Sequence, residues 1–367
     1  MYSWQFKNFP DFTFDESNIQ PQIENFALAI GEANGLLLGF SEASKQEIFI
    51  EMMLVEALKT SEIEGEFFSR EEVMSSLKHN LGIKDFHQTT KNNKANAIAQ
   101  LMIEVQNTYA KPLDETLILH WHKLLMNSEK RINAGKYRSG IEPMQVISGS
   151  HGNFTVHYEA PPSTELPNLM TNFFHWYQNF SKKELGKIGE AMLLSAIAHL
   201  YFETLHPFED GNGRIGRALA EKALAEKLEI PVFISLSKAI EKNKAQYYSE
   251  LKKAQRDLQI TDWVIYFFNI LTEAITDTKT LVLFRLKKTK FFEKFKNNLN
   301  ERQLKTITKM MEQGENGFQG GMTAKKYISI NKTSKATATR DLQELAEINA
   351  FVKIGAGRSV TYQLHLE

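Results

Sequence analysis

The residues of this chain best suited to chemistry lie in one segment, His206 to Arg217, which reads HPFEDGNGRIGR. Within it stand an imidazole, a carboxylate, a glycine-rich turn and two guanidiniums. Gly211, Asn212 and Gly213 can turn successive backbone N–H groups toward one point, because glycine and, to a lesser degree, asparagine reach left-handed conformations. The apolar residues Ile215, Leu219, Leu224 and Leu228 then recur at helical spacing, so a helix is predicted to start near Arg214, with its free N–H groups and positive end facing the same point. Arg214 and Arg217, three apart, lie on one side of that first turn and suit phosphate oxygens. The predicted guest is a polyphosphate. Asp210 offers the hard oxygen that magnesium or manganese prefers, and His206, fixed by Pro207, is a side chain able to take a proton near neutral pH.

The elements that must position these groups can be read on either side. Met192, Leu193, Ile197, Leu200 and Tyr201 form the apolar face of a helix that ends at His206. Phe208 is expected to point inward and fix the loop. The strand, lysine and following hydroxyl residue of a Walker-type P-loop are absent, which disfavours a conventional NTPase.

The segment resembles the Fic-family motif HxFx(D/E)GNGRxxR at each specified position. The resemblance implies a mainly α fold: a helical core with a small β-hairpin flap, whose usual activity is transfer of AMP from ATP to a protein hydroxyl. It implies His206 as the general base, Asp210 as the metal ligand, and Gly211, Asn212 and Gly213 as the cradle for the α- and β-phosphates. Arg214 would hold the β-phosphate and Arg217 the γ-phosphate, with Ile215 and Gly216 completing the nucleotide-contacting run.

Upstream, Ile48, Met52, Val55 and Leu58 recur at helical spacing and lead into Thr60-Ser61-Glu62-Ile63-Glu64-Gly65. Gly65 fits a helix C-cap. The string is similar to the family's inhibitory motif (S/T)xxxE(G/N), which implies Thr60, Glu64 and Gly65 as an inhibitory set supplied by the N-terminal part of the same chain. A carboxylate on Arg217 would occupy the donor meant for the γ-phosphate and repel the triphosphate tail. In some family members the same glutamate assists removal of AMP, and this chain is left open to either direction.

Two runs, Met144 to Ser150, which contains Gly149, and Phe154 to Tyr158 stand on either side of Gly152 and Asn153 and predict a hairpin. As a flap it would align an extended target segment through Val156, His157 and Tyr158. The segment Gly135-Lys136-Tyr137-Arg138 reads either as a family element or as a solvated basic loop. Tyr247 and Gln255 are named by the resemblance as nucleotide contacts, although aromatics such as Tyr247 and Tyr248 at helical spacing are commonly core.

Composition bounds the rest. The chain has 367 residues, with 44 Lys and Arg against 44 Asp and Glu and no cysteine. Balanced charge gives no global attraction to nucleic acid or anionic lipid, and thiol chemistry is excluded. No secretory signal is expected, and the apolar runs Met192 to Phe202 and Trp263 to Leu271 are too short to span a bilayer; the expected location is cytoplasmic. Three regions are expected: 1–91, a helical regulatory region; 92–290, the catalytic core; and 291–367, a winged helix-turn-helix. In the last, Ser334 to Arg340 would open the recognition helix, yet the ten Lys and Arg after Asn297 exceed the seven Asp and Glu by only three. The leading expectation is a self-inhibited adenylyltransferase acting on a protein, itself included. The alternative is a DNA-binding regulator that senses nucleotide, and UTP stays open as donor. The target protein, self-association and DNA are the partners to be settled.

Overall fold

Apolar patterning and side-chain caps account for most of the helices. The computed structural model describes residues 1–83, 91–150, 153–232, 234–314 and 317–366, with backbone alone at 147–150, 153, 154 and 358. Helices α1 (Gln20–Leu37), α2 (Glu42–Ile63), α3 (Arg70–Asn80), α4 (Asn93–Asn107) and α5 (Glu115–Met126) come first. Side-chain caps sit at the starts of three of them: Ser69 and Glu72 form a reciprocal capping box on α3, and Asn92 and Asp114 cap α4 and α5 by accepting from backbone N–H groups. A hairpin follows, β1 (Gln145–Ser150) against β2 (Asn153–Glu159), antiparallel with a register shift between Val146 and Ile147. Gly152 of the expected turn lies outside the described residues.

Next come α6 (Leu166–Gln178), α7 (Gly186–Leu205), α8 (Asn212–Leu228), α9 (Leu236–Lys242) and α10 (Lys244–Ala254). Helix α7, read from the sequence as having one apolar face, is instead buried around almost its whole circumference, because the residues between the apolar ones are mostly small or apolar too. One of its faces packs in a core with α1, α10 and the first part of α11 (Thr261–Phe295); another packs in a core with α2 to α6. Helix α8 contributes to both cores. The α7–α8 pair is thus a partition between two cores, and the motif loop is the turn at one end of it. Since α1 and α2 supply residues to these cores, the N-terminal segment is part of the body that carries the motif: residues 1–34 and 43–278 form one compact unit.

The aromatic entry segment joins it too. Ser3 N–H donates to the Gln255 carbonyl at 2.8 Å, and the Trp4 indole donates to the Glu159 carbonyl at 2.9 Å.

A second unit comprises residues 35–42 and 279–367. Helix α11 runs unbroken through the charged stretch beginning at Arg285, because that stretch holds good helix formers and no Gly or Pro, and Phe291 and Phe295 are buried in the second unit's core. Helices α12 (Glu301–Met311), α13 (Ala324–Asn331) and α14 (Lys335–Glu347) precede an antiparallel hairpin, β3 (Phe351–Ile354) with β4 (Thr361–Leu364). Asp341 of α14 is buried, where it accepts from Arg302 Nε at 2.8 Å and from the Tyr327 hydroxyl at 2.9 Å. Among the described residues no helix is long and apolar enough to cross a membrane.

Candidate active site

The motif loop is closed by its own side chains. His206 ends α7 in a left-handed conformation, φ 46°, with its N–H still bonded to the Phe202 carbonyl. Asn212 then folds back on Phe208: its side-chain oxygen accepts from the Phe208 N–H and its amide donates to the Phe208 carbonyl, both at 2.9 Å. Phe208 is fully buried and stacks on His122, ring centroids 3.8 Å apart. The His122 ring accepts from the Gly135 N–H at 2.9 Å, so its other nitrogen carries the proton and donates to the Asp210 carbonyl at 3.2 Å. Burial pushes His122 down to about 4, which keeps it neutral for that role.

Arg138 ties the other side. It is buried, and its guanidinium donates to the carbonyls of His206 at 2.8 Å and Pro161 at 2.6 Å, while its own N–H donates to the Pro207 carbonyl. The open question about Gly135 to Arg138 is therefore answered for Arg138, which joins the end of α7 to the chain leaving the flap. Helix C-terminal carbonyls favour a cation in that position.

His206, Gly213 and Arg217 face a cleft of about 470 Å³, together with Glu64, His157, Tyr158, Glu203, Tyr247 and Gln255. This volume suits a ligand the size of a nucleotide. Burial, then the charge of Arg138, pushes His206 down to about 4, so at neutral pH the imidazole is uncharged and can accept a proton. Glu203, one turn before it, has a carboxyl oxygen 3.9 Å from His206 Nδ1. Burial raises Glu203 to about 8 against the pull of Arg217. The contact at neutral pH is therefore between two uncharged groups.

Arg217 is fully buried and bonded through Nε and Nη2. Its Nε donates to Thr60 Oγ1 at 2.8 Å, and Nη2 donates to the Thr60 carbonyl at 3.0 Å and to Glu64 Oε1 at 2.8 Å. Glu64 reaches it because α2 ends in a Schellman turn: Gly65 has φ +80° and donates to the Glu62 carbonyl, while the Glu66 N–H donates to the Ser61 carbonyl. A Cβ at Gly213 would lie 2.3 Å from Glu64 Oε1, so a glycine is needed for the carboxylate to approach the loop this closely. Burial would raise Glu64, but Arg217, with Arg214 and Lys244 behind it, outweighs burial and holds the carboxylate ionised below its usual range. Lys244 Nζ also donates to the Ile63 carbonyl at the end of α2.

The remaining expected residues fall in different surroundings. Helix α8 begins at Asn212, two residues ahead of the start read from the apolar spacing, and holds both motif arginines together with Ile215 and Gly216, which are buried. Tyr247 lines the cleft but is otherwise core, its hydroxyl 2.8 Å from His199 Nε2; the neighbouring Tyr248 is the more exposed ring. Gln255 caps the end of α10 and donates to the Glu203 carbonyl at 3.1 Å. In the flap, Val156 is exposed, whereas Tyr158 is buried with its hydroxyl donating to the Thr204 carbonyl at 2.5 Å. His157 lines the cleft. Asp210 lies at the mouth of the loop with its side chain 56 % exposed, 3.4 Å from Arg214 Nη2. Among the described residues no group of three His, Cys, Asp or Glu could hold a metal alone. A single open carboxylate fits an ion that arrives with phosphate oxygens.

Sequence reasoning missed Glu203, Glu66 and Lys244. Glu203 carried a signal, being an acid inside an otherwise apolar stretch of α7. Glu66 and Lys244 look like ordinary surface charges until the fold brings them to α8 and α2.

Comparison with known proteins agrees with this geometry. Residues 112–224 match the Fic/DOC family, and residues 2–83 match a domain of unknown function, DUF4172. A probable protein adenylyltransferase of Aquifex aeolicus is 31% identical over 162 residues, covering 44% of this chain and 43% of its own length. The protein adenylyltransferase Fic of Drosophila grimshawi is 27% identical over 229 residues, 62% of this chain and 41% of its length. The chain thus spans less than half the length of these relatives. Among solved structures, a Fic family protein from Desulfovibrio desulfuricans aligns with TM-score 0.52 at 17% identity over 93% of this chain and 95% of its own. A Fic domain-containing signaling protein from Bacteroides thetaiotaomicron gives 0.55 at 19% identity, over 72% and 97%. These structures share the mainly helical fold. The motif between α7 and α8 lies inside the stretch 112–224 that matches the Fic/DOC family.

Proposed function

We propose that this protein is an adenylyltransferase that moves AMP from ATP to a hydroxyl of a protein, itself included, and that Glu64 holds it at rest. The observation that carries the reading is the Glu64–Arg217 pair. A phosphate-gripping arginine is buried beside a nucleotide-sized cleft, and a carboxylate stands where a phosphate oxygen would be bound.

In the released enzyme His206 accepts the proton of the target hydroxyl, whose oxygen bonds to the α-phosphorus as the bond to pyrophosphate breaks. The neutral imidazole is the form this requires. Backbone N–H groups at the start of α8, with Arg214 and Arg217, take up the charge of the departing pyrophosphate. Asp210 would hold magnesium or manganese, which when bound neutralises phosphate charge. The flap would receive the target as an added strand. Removal of AMP is the second direction open to the site: a water oriented by Glu64 would bond to the phosphorus of protein-linked AMP as the bond to the target oxygen breaks, that oxygen taking up the water's proton. The cysteine-free composition suits a reducing cytosol.

Incubation with labelled ATP and magnesium tests the reading. The Glu64→Gly variant should label itself or an added protein faster than the unchanged chain, and the Glu64→Gly/His206→Ala variant should not. Absence of transfer by Glu64→Gly with ATP and with UTP would overturn it.

One observation favours a second role. With Asp341 turned inward, the exposed start of α14 presents Lys335, Thr339 and Arg340, as a winged helix reading DNA would. Salt-dependent duplex binding, lost in Lys335→Ala/Arg340→Ala, supports that role; no binding at low salt removes it.

A further inference from the structure

The turn that ends α2 carries a second acid whose partner is the other motif arginine. In a Schellman turn the residue at the cap and the residue two beyond it leave the helix end together, and here those residues are Glu64 and Glu66. Glu64 goes to Arg217. Glu66 Oε2 accepts from Arg214 Nη1 at 2.6 Å. Its other oxygen is held by Lys94 Nζ at 2.7 Å, and Lys94 is itself anchored to Glu129 at 2.6 Å. On the far side, Arg214 Nη2 lies 3.4 Å from Asp210 Oδ1. The Arg214 Nε is buried and has no hydrogen-bond partner among the described residues, so a donor stands ready that neither acid uses.

We propose that Glu66 is a second carboxylate lock, independent of Glu64, that occupies Arg214 and so restricts the nucleotide by its β-phosphate. The inference rests on the adenylyltransferase reading. The two arginines meet different phosphates, so the two acids should be felt by different nucleotides. Glu64 opposes a γ-phosphate and acts on ATP; Glu66 opposes a β-phosphate and acts on ADP as well. AMP, with neither, is indifferent to both. A charge-assisted hydrogen bond to a buried guanidinium is strong enough for its loss to be read as affinity.

The test is calorimetric titration of the full chain with AMP, ADP and ATP in magnesium chloride, for the unchanged protein, Glu64→Gly and Glu66→Gln. Glu66→Ala serves as a second variant, since glutamine can still accept from Arg214; thermal melting checks that each is folded. The expected result is that loss of the Glu66 charge tightens ADP about tenfold, equivalent to ~1.4 kcal/mol, with AMP unchanged. Glu64→Gly should change ATP more than ADP. ADP affinity within about twofold of the unchanged protein would overturn the lock and leave Glu66 as a tie to Lys94. Weaker ADP binding would also overturn it, making Glu66 a residue that positions Arg214 for the phosphate. If Glu64→Gly transfers AMP while neither Glu66 variant alters ADP binding, the lock alone fails. If no variant binds any nucleotide, the adenylyltransferase reading fails with it.

Discussion

Each of the two units contains a buried ion pair with one partner nearer solvent, and the pairs are mirror images. In the first unit the arginine is the buried member: Arg217 is 1% exposed and Glu64 29%. In the second unit the acid is buried: Asp341 is 1% exposed and Arg302 39%. Asp341 also receives the Tyr327 hydroxyl and joins α12, α13 and α14 around one carboxylate. Arg217 is held from one direction, by the last turn of α2 and the residue after it, and Glu64 lines an open cleft. A buried charge must keep a partner, because an unpaired one costs several kcal/mol. It need not keep the same partner. Where a cleft lets an anionic ligand reach the charge, the resident acid is exchangeable; where three helices close around it, the pair is structural.

The largest effects follow from that distinction in the first unit. In the Glu64→Gly background, His206→Ala should lower AMP transfer by about 10²–10⁴-fold, the usual contribution of a general base, measured as initial rate of label incorporation. Glu64→Gly itself should raise that rate by roughly tenfold or more, the factor expected when about one charge-assisted hydrogen bond stops competing for Arg217. A variant with Arg217→Ala added should return to the resting rate. If Glu64→Gly instead lost its fold, Glu64 would be structural like Asp341 and the comparison would break.

The second unit gives the converse. Asp341→Ala should destabilise it by about 2–3 kcal/mol, seen as faster amide exchange in α12 to α14 of the full chain, and leave AMP transfer unchanged. The smallest effect is a pH dependence. Glu203 is raised to about 8 in the fold, so its stabilising, protonated form is fully present below its unfolded value of 4.5 and is lost as pH rises through about 8. His206, depressed to about 4, works oppositely: its contribution is present above 6.5 and is lost as pH falls. Glu203→Gln removes the first slope and keeps the second. Its melting temperature, relative to the unchanged chain, should therefore rise between about pH 5 and about pH 8.

What could be read from the sequence follows from how local each cause is. The motif loop was legible because its donors, acceptor and glycines are contiguous, and the cap of α2 because Gly65 marks it. The mainly helical fold was implied by the family resemblance, and periodicity marked several of its helices. Three features were not legible, all for one reason. Asp341 carries no local sign of burial in its spacing along the helix, Arg138 was equally readable as a surface base, and Glu66 looked like any charge in a loop. Their partners, Arg302, the His206 carbonyl and Arg214, stand far away in the chain. A charged residue's spacing says which face it takes, not what that face meets.

The central claim is that Arg217 exchanges Glu64 for the γ-phosphate, and phosphorus NMR of bound ATP tests it most directly. With magnesium, the γ-phosphate resonance of ATP on Glu64→Gly should be shifted from its position on the unchanged chain, and Glu64→Gly/Arg217→Ala should lose that shift. A γ-phosphate signal identical on the unchanged and Glu64→Gly proteins, with ATP bound to both, would contradict the account.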